Sequence, residues 1–462
     1  MTGELPSAWA QVPLGKLGTW TGGGTPSKAV SRYWTDGTVP WVSPKDMKVA
    51  VLHKTEDYIT EDAVRESSTR LVAPNSVLIV TRSGILERIL PVAINAIPVA
   101  LNQDLKAISP SAAVDARYLY WLLVGRGDEI LRSCTKAGTT VASVETSRLM
   151  ELVVPLAPLA EQRRIVACLE EHLSALDAAV EGLARARANL ARFRASAIIN
   201  GVLGGTAAAA APDLEHELPD GWQWRTMADC CSKIDSGSTP PADRMFAGSG
   251  EIPFIKVYNL TMTGRLDFTV RPTFVERATH DGRLRRSRLL PGDVLTNIVG
   301  PPLGKVAVVP DTHPEWNTNQ AVVCFRTGPD LINRYLALML QAEPVIARLS
   351  SQARATAGQY NVSLTMCRTL RVPVPPIGEQ QRIVVETDRQ LEAFARLTAD
   401  INVQFARSSR LRQSILHRAF AGLLVPHDPD EDPASIHSDE ARAGADESVR
   451  PATRRRPVRC TT

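Results

Sequence analysis

Nowhere does the chain hold a run of about 18 apolar residues, so no part of it is expected to span a membrane. The opening stretch "MTGELPSAWAQVP" lacks the basic and apolar regions of a signal peptide, which predicts a cytoplasmic location. Cysteine is sparse and poorly placed: seven residues, an odd number, scattered and without CxxC spacing. That suggests neither a disulfide framework nor a zinc site, and the adjacent Cys230 and Cys231 read as reduced thiols. No GxGxxG stands between a strand and a helix, no GxSxG occurs, and the eight histidines are dispersed without metal-ligand spacing. The segment "GPPLGK", Gly300 to Lys305, has the outline of a phosphate loop but no Ser or Thr after the lysine. Pro301 and Pro302 also remove backbone N–H groups that such a loop needs. These absences describe a binding protein, with no catalytic residue, metal site or cofactor expected in this chain.

What is present is length and repetition. At 462 residues, with 44% hydrophobic and 22% charged side chains, the chain is too long for one core and should form two or more globular domains. The net charge of +4 leans only mildly toward anionic partners. Leu5-Pro6 and Trp9 line up with Leu218-Pro219 and Trp222 at a separation of 213, and Thr25-Pro26 with Thr239-Pro240 at 214. Pro74, Val77-Leu78, Asn102-Gln103 and Arg117-Tyr118-Leu119 match Pro291, Val294-Leu295, Asn319-Gln320 and Arg334-Tyr335-Leu336, all at 217. From Val154 onward the separation is 218, where "APLAEQRRIV" (Ala157 to Val166) answers "PPIGEQQRIV" (Pro375 to Val384). The order never changes, so one whole unit has been duplicated.

In both copies prolines stop a strand-like run, and Glu161 or Glu379 then falls in a first helical turn, where a carboxylate meets free N–H groups. Alternate steps of three and four follow. The first seam runs through Val166, Leu169, Leu173, Leu176, Val180, Leu183, Arg187, Leu190, Arg194 and Ala197. The second runs through Val384, Thr387, Leu391, Phe394, Thr398, Ile401, Phe405, Ser408, Arg412 and Ile415. An apolar seam held over some forty residues predicts rods of ~60 Å that pack along their length. The interruptions at Thr387, Thr398 and Ser408 favour pairing of the second rod with the first over self-association. Gly204-Gly205 should end the first rod, and Gly422 with Pro426 the second. Runs such as "VLIV" (Val77 to Val80), "VLTNIV" (Val294 to Val299), "KVAVV" (Lys305 to Val309) and "AVVCF" (Ala321 to Phe325) read as strands. Asp115 to Gly125 and Leu331 to Ala342 read as helices, so the domains are mixed α/β (α+β).

Two related domains on rods suit a ligand that repeats along an axis, above all duplex DNA read at two half-sites. Candidate DNA-binding residues lie in turns: Lys28, Arg32, Lys45, Lys48 and Arg82 in the first copy, then Lys256, Asn259, Arg283, Arg285, Arg286, Arg288 and Lys305 in the second. Residues shared by both copies, such as Asn102-Gln103 and Asn319-Gln320, are better read as scaffold, because domains that read different half-sites should differ where they touch bases. Most basic residues are expected on phosphates, which take half or more of protein–DNA hydrogen bonds.

The tandem of "LPxGW" (Leu218 to Trp222), "GSTP" (Gly237 to Pro240), "LPGDVL" (Leu290 to Leu295), "NQ", "PPIGEQQRI" and "RQSILHRAFAGLL" (Arg412 to Leu424) resembles the specificity subunit of type I restriction-modification enzymes. The first copy departs in "PNSVL" for "PGDVL" and in "SAW" for "DGW". The resemblance implies target recognition domains at 1–156 and 216–374 and conserved spacer helices at 157–205 and 375–425, paired as an antiparallel coiled coil. A linker at 206–215 and a disordered tail at 426–462 complete the expected order. Each domain would read one half of a bipartite asymmetric sequence in double-stranded DNA. Two modification (methyltransferase) subunits would dock on the helices and bring S-adenosylmethionine; restriction (translocase/nuclease) subunits would bring ATP and Mg2+. The chain itself would be non-catalytic. The alternative is a tandem coiled-coil scaffold, or an orphan DNA-binding protein without active restriction partners.

Overall fold

The computed structural model describes residues 5–136, 141–204, 218–351, 354–356 and 359–434, with backbone alone at 354–356, 359 and 360. The expected linker at 206–215 and the expected tail from 435 onward lie outside the described residues. The chain forms two compact units, Met1–Glu181 with Phe405–Thr462, and Gly182–Gln404. Each unit therefore holds one globular domain and a part of both long helices.

Among the described residues of the first unit, a five-stranded sheet runs in the order Gly18–Gly22, Leu105–Pro110, Val77–Val80, Val92–Asn95 and Val51–Leu52. A four-stranded sheet follows the order Asp57–Ile59, Val39–Val42, Val99–Leu101 and Leu71–Val72, its middle pair parallel. Every residue of Val77–Val80 is buried, which is why that strand reads as an unbroken apolar run. The second unit repeats the plan with Cys231–Ser236, Val322–Thr327, Val294–Asn297 and Val306–Val308 in one sheet. Its other sheet holds Phe246–Ala247, Thr273–Val275, Ile252–Ile255 and Asn317–Thr318, the last two again parallel. Helices Ala116–Gly125 and Asn333–Met339 cover the cores with the fully buried Tyr118 and Tyr335. Asp115 caps the first of them by accepting from the Arg117 and Tyr118 N–H groups.

A short antiparallel ribbon ties each domain's start to its end: Ala10–Pro13 with Val153–Leu156, and Gln223–Thr226 with Arg371–Val374. Directly after the ribbon come the long helices, Leu159–Val202 and Ile377–Phe420, of 44 residues each. Past their ends, Gly204 and Gly422 take φ of +76° and +71°, the left-handed turn that L side chains resist. A Cβ on either would come within 2.7 or 2.5 Å of Pro219 or Pro6, the proline that opens the domain of the same unit.

The expectation of a disordered tail from Pro426 is corrected for residues 426–434. His427 places Nδ1 2.7 Å from Glu161 Oε1 and Nε2 2.9 Å from the Gly422 carbonyl, edge-on to Trp9. Glu431 pairs with Arg164, and the Ala434 N–H donates to the Ala8 carbonyl at 3.0 Å. An acidic stretch with few apolar groups is held here because its polar groups meet complementary ones, including a buried carboxylate.

Candidate nucleic-acid interface and helical spacer

The repeated "EQ" does more than begin a helix. Gln162 is fully buried; its Nε2 donates to the Ala113 and Ala157 carbonyls at 2.9 and 2.8 Å, and its Oε1 accepts from the Asp115 N–H at 2.8 Å. Gln380 repeats this with the Asp330 and Pro375 carbonyls and the Ile332 N–H, all within 2.9 Å. One amide thus satisfies three backbone groups and fixes the angle at which each helix leaves its domain. Tyr118 and Tyr335 reinforce the elbow by donating to the Pro155 and Pro373 carbonyls at 3.0 and 3.2 Å. Arg117 pairs with Glu170, and Arg334 grips Asp388 bidentately, at matching positions. The signal for these contacts was the repeat itself, since each partner recurs at a separation of 217 or 218.

The helices run antiparallel within each unit. In the first unit Arg412 pairs with Asp177, while Leu169 and Leu173 share a core with Leu416, Ala419 and Phe420. In the second, Ile198 and Val202 pack with Ile383, and a Cβ on Gly201 would lie 2.8 Å from Thr387 Oγ1. Thr387, an interruption of the seam, is therefore buried where the facing helix has no side chain. The seam residues Val166, Leu169 and Leu173 are buried; Leu176, Val180, Leu183, Leu190, Val384, Leu391, Phe394, Ile401, Phe405 and Ile415 are half-buried. Arg187 is exposed. Arg194 is half-buried and donates to the Met262 carbonyl at 2.9 Å and to Gln341 Oε1 at 2.7 Å; burial, and then Arg334, lowers its pKa.

The basic candidates fall into two groups. Lys28, Lys48, Arg82, Arg283, Arg285 and Arg286 are exposed, and Lys256 and Lys305 half-buried. The others are engaged within the fold. Arg32 meets Glu66 at 2.6 Å, and Lys45 meets Asp57 and Glu56 at 3.0 and 3.1 Å, contacts that raise the lysine above its ordinary pKa. Arg288 pairs with Asp281 and lies 3.7 Å from Glu315. Asn259, expected on DNA, is instead turned into the fold. It is fully buried, accepts from the Lys256 N–H at 2.9 Å, and donates to the Asp267 and Val270 carbonyls at 3.1 and 2.8 Å. Its amide closes a turn and has none of its bonding capacity facing outward. Gln103 and Gln320 each accept from the hydroxyl of the "TP" turn, Thr25 and Thr239, so both amides pin a loop. The Cys231 thiol is pushed up to about 12 by burial, which leaves it unreactive. Among the described residues no cluster of His, Cys, Asp or Glu could hold a metal ion, and no helix is long and apolar enough to cross a membrane.

Two tandem α/β domains, each leading through a glutamine-locked elbow into a long paired helix, define the class of protein. The type I restriction modification DNA specificity domain matches residues 6–182 and 219–404, and the chain belongs to that family. It is 44% identical over 172 residues to the EcoR124I/EcoR124II specificity subunit of Escherichia coli, 37% of this chain and 43% of that protein. It is 27% identical over 266 residues to the MjaIX specificity subunit of Methanocaldococcus jannaschii, 56% of this chain and 59% of that protein. These matches thus span about half the length of both relatives. In three dimensions it is similar to a chain from a structure of a type I restriction-modification system, with a TM-score of 0.73 and 21% identity, over 91% of this chain and all of that one.

Proposed function

We propose that this chain is the DNA-reading subunit of a type I restriction-modification complex, each domain reading one half of a bipartite asymmetric target and the paired helices setting the interval. The observation that carries this reading is the duplicated elbow, in which Gln162 and Gln380 hold a domain and its helix at a fixed angle. A reader of two half-sites needs each reading surface held rigidly on its spacer. Lys28, Lys48 and Arg82, with Lys256, Arg283, Arg285, Arg286 and Lys305, are the side chains assigned to DNA. Arg32, Lys45 and Arg288 shape those surfaces through their ion pairs. The assignment of 1–156 and 216–374 as reading domains belongs to the same proposal.

Modification subunits dock on the helices, where Phe193, Val385, Leu397 and Val403 are large apolar side chains left 49–70% exposed. Exposed apolar surface of this kind suits a partner helix. Methylation with S-adenosylmethionine, and ATP- and Mg2+-dependent translocation and cleavage, reside on partners; the chain is non-catalytic and works in the cytoplasm. The test is a complex purified with its cognate modification subunits and incubated with genomic DNA and S-adenosylmethionine, followed by mapping of modified adenines. A single bipartite motif is expected, with binding that falls steeply with salt as counterions are released. No motif, or salt-independent binding, would return the chain to the scaffold reading.

A further inference from the structure

In each unit one central strand leaves the core into a loop that is held in the same way. After Val77–Val80, the Thr81 carbonyl accepts from the Val144 N–H at 2.8 Å, and Arg82 bridges to Ser143. After Val294–Asn297, the Ile298 carbonyl accepts from the Val362 N–H at 3.0 Å, and Val299 bridges to Asn361. The partners correspond at separations of 217 and 218, so the frame is copied position by position. Within the frame two features are shared. Leu86 and Leu303 plug the loop into the core, and two residues later comes a cation, Arg88 or Lys305. Between frame and plug nothing is shared: Arg82-Ser83-Gly84-Ile85 stands against Val299-Gly300-Pro301-Pro302. Arg82, Gly84, Pro301 and Pro302 are exposed, and Arg82, Arg88 and Lys305 make no ion pair among the described residues.

A copied frame around unlike contents is what two readers of different sequences require. We infer that the loops 82–85 and 299–302 are the base-discriminating elements of the two domains, and that Arg88 and Lys305 are their phosphate anchors. This rests on the DNA-reading assignment above, and it adds Arg88 to the DNA-contacting residues. The chemistry of the loops differs in kind. Arg82 carries a fork of donors suited to a guanine edge, whereas Val299, Pro301 and Pro302 offer no side-chain donor and discriminate by apolar contact and fit.

The experiment uses the full complex with modification subunits, carrying Arg82→Ala, Arg82→Lys, Arg88→Ala or Lys305→Ala, with modified-adenine mapping and binding titrated against salt. For Arg82→Ala one half of the motif is expected to relax by roughly tenfold in discrimination, the other half staying unchanged. Arg82→Lys keeps the charge and loses the planar fork, so it should relax the same half with an unaltered salt slope. Arg88→Ala and Lys305→Ala should weaken binding to all sequences alike and lower the salt slope by about one. If both Arg82 variants fold, as circular dichroism would report, and still modify the wild-type motif with full stringency, the inference is overturned. A wild-type complex that modifies no bipartite sequence would instead sink the DNA-reading assignment.

Discussion

In the first unit Ala63 and Ala100 belong to an apolar cluster with Trp41 and Ile59. At the corresponding positions of the second unit, 217 residues on, stand His280 and Asn317, both fully buried and joined by a 3.0 Å hydrogen bond. The backbone around them is the same: Trp41 faces Ala100 and Phe254 faces Asn317 across parallel strands. The glutamine locks of the elbows, by contrast, use the same side chain on matching backbone groups in the two units. The methyl pair brings no polar group to its site, whereas in the His–Asn pair Asn317 satisfies His280 Nδ1, and Nε2, without a hydrogen-bond partner among the described residues, faces the Glu315 carboxylate at 3.6 Å. The elbow demands an acceptor and two donors at fixed points, and a glutamine amide supplies all three. Divergence is thus permitted in the cores of the domains and resisted where a domain meets its helix.

The sharpest way to break this comparison is at the elbow. Gln162→Ala and Gln380→Ala each strand three backbone groups, one buried and two part-buried, and should cost about 3 kcal/mol. Hydrogen exchange should place each loss in the unit that carries the substitution. A loss under about 1 kcal/mol in urea unfolding would mean that water satisfies those groups, and the elbow would not be a rigid joint.

A smaller effect separates the glutamates of the same motif. Glu161, only 1% exposed, is met by His427, whereas Glu379 is half-buried and pairs with the exposed Arg382 three residues on. Glu161→Ala should cost about 2 kcal/mol by stranding the contacts of residues 426–434, visible as faster exchange there. Glu379→Ala should leave stability unchanged within error, as exposed pairs on one helix contribute little. A Glu161→Ala loss as small as that of Glu379→Ala would show that residues 426–434 carry no stability.

Much of the architecture was legible because periodic signals report it. The heptad seams marked the helices, and the apolar run at Val77–Val80 marked a central strand. What was not legible depends on contacts at irregular spacing. Glu66 neutralises Arg32 from 34 residues away, and Asp57 meets Lys45 from 12. No pattern within the chain distinguishes those cations from the free ones. Asn259 looked like a DNA contact from its residue type and its place in a turn; the carbonyls that consume its amide lie 8 and 11 residues downstream, in a turn whose closure has no sequence signature. Gln162 and Gln380 were visible as repeats, but the repeat alone does not show which backbone groups their amides reach.

The mildest prediction concerns the His–Asn pair itself. Thr318 N–H donates to Asn317 Oδ1 at 2.9 Å, which turns the Asn317 Nδ2 donor toward His280 Nδ1. The imidazole therefore accepts at Nδ1 and carries its proton on Nε2, 3.6 Å from the Glu315 carboxylate. Arg288 and Asp281 also act on it, and Arg277 holds Glu315 at 2.7 Å. Burial lowers the His280 pKa below its ordinary value, and the attraction of Glu315 offsets only part of that shift. The unfolded chain, with its histidine near 6.5, then takes up the proton first. This contribution is fully present at higher pH and is lost as pH falls below about 6.5 toward the folded value. The slope cannot exceed about 1.4 kcal/mol per pH unit for one proton. Urea midpoints measured from about pH 7.5 down to 5 should fall more steeply in the wild type than in a His280→Ala, Asn317→Ala double variant, which imports the first unit's alanines at both positions. Other titrating groups are common to both proteins, so the difference isolates the pair. Parallel curves would mean that the buried imidazole accepts its proton as readily as a free one, with Glu315 fully offsetting the cost of burial.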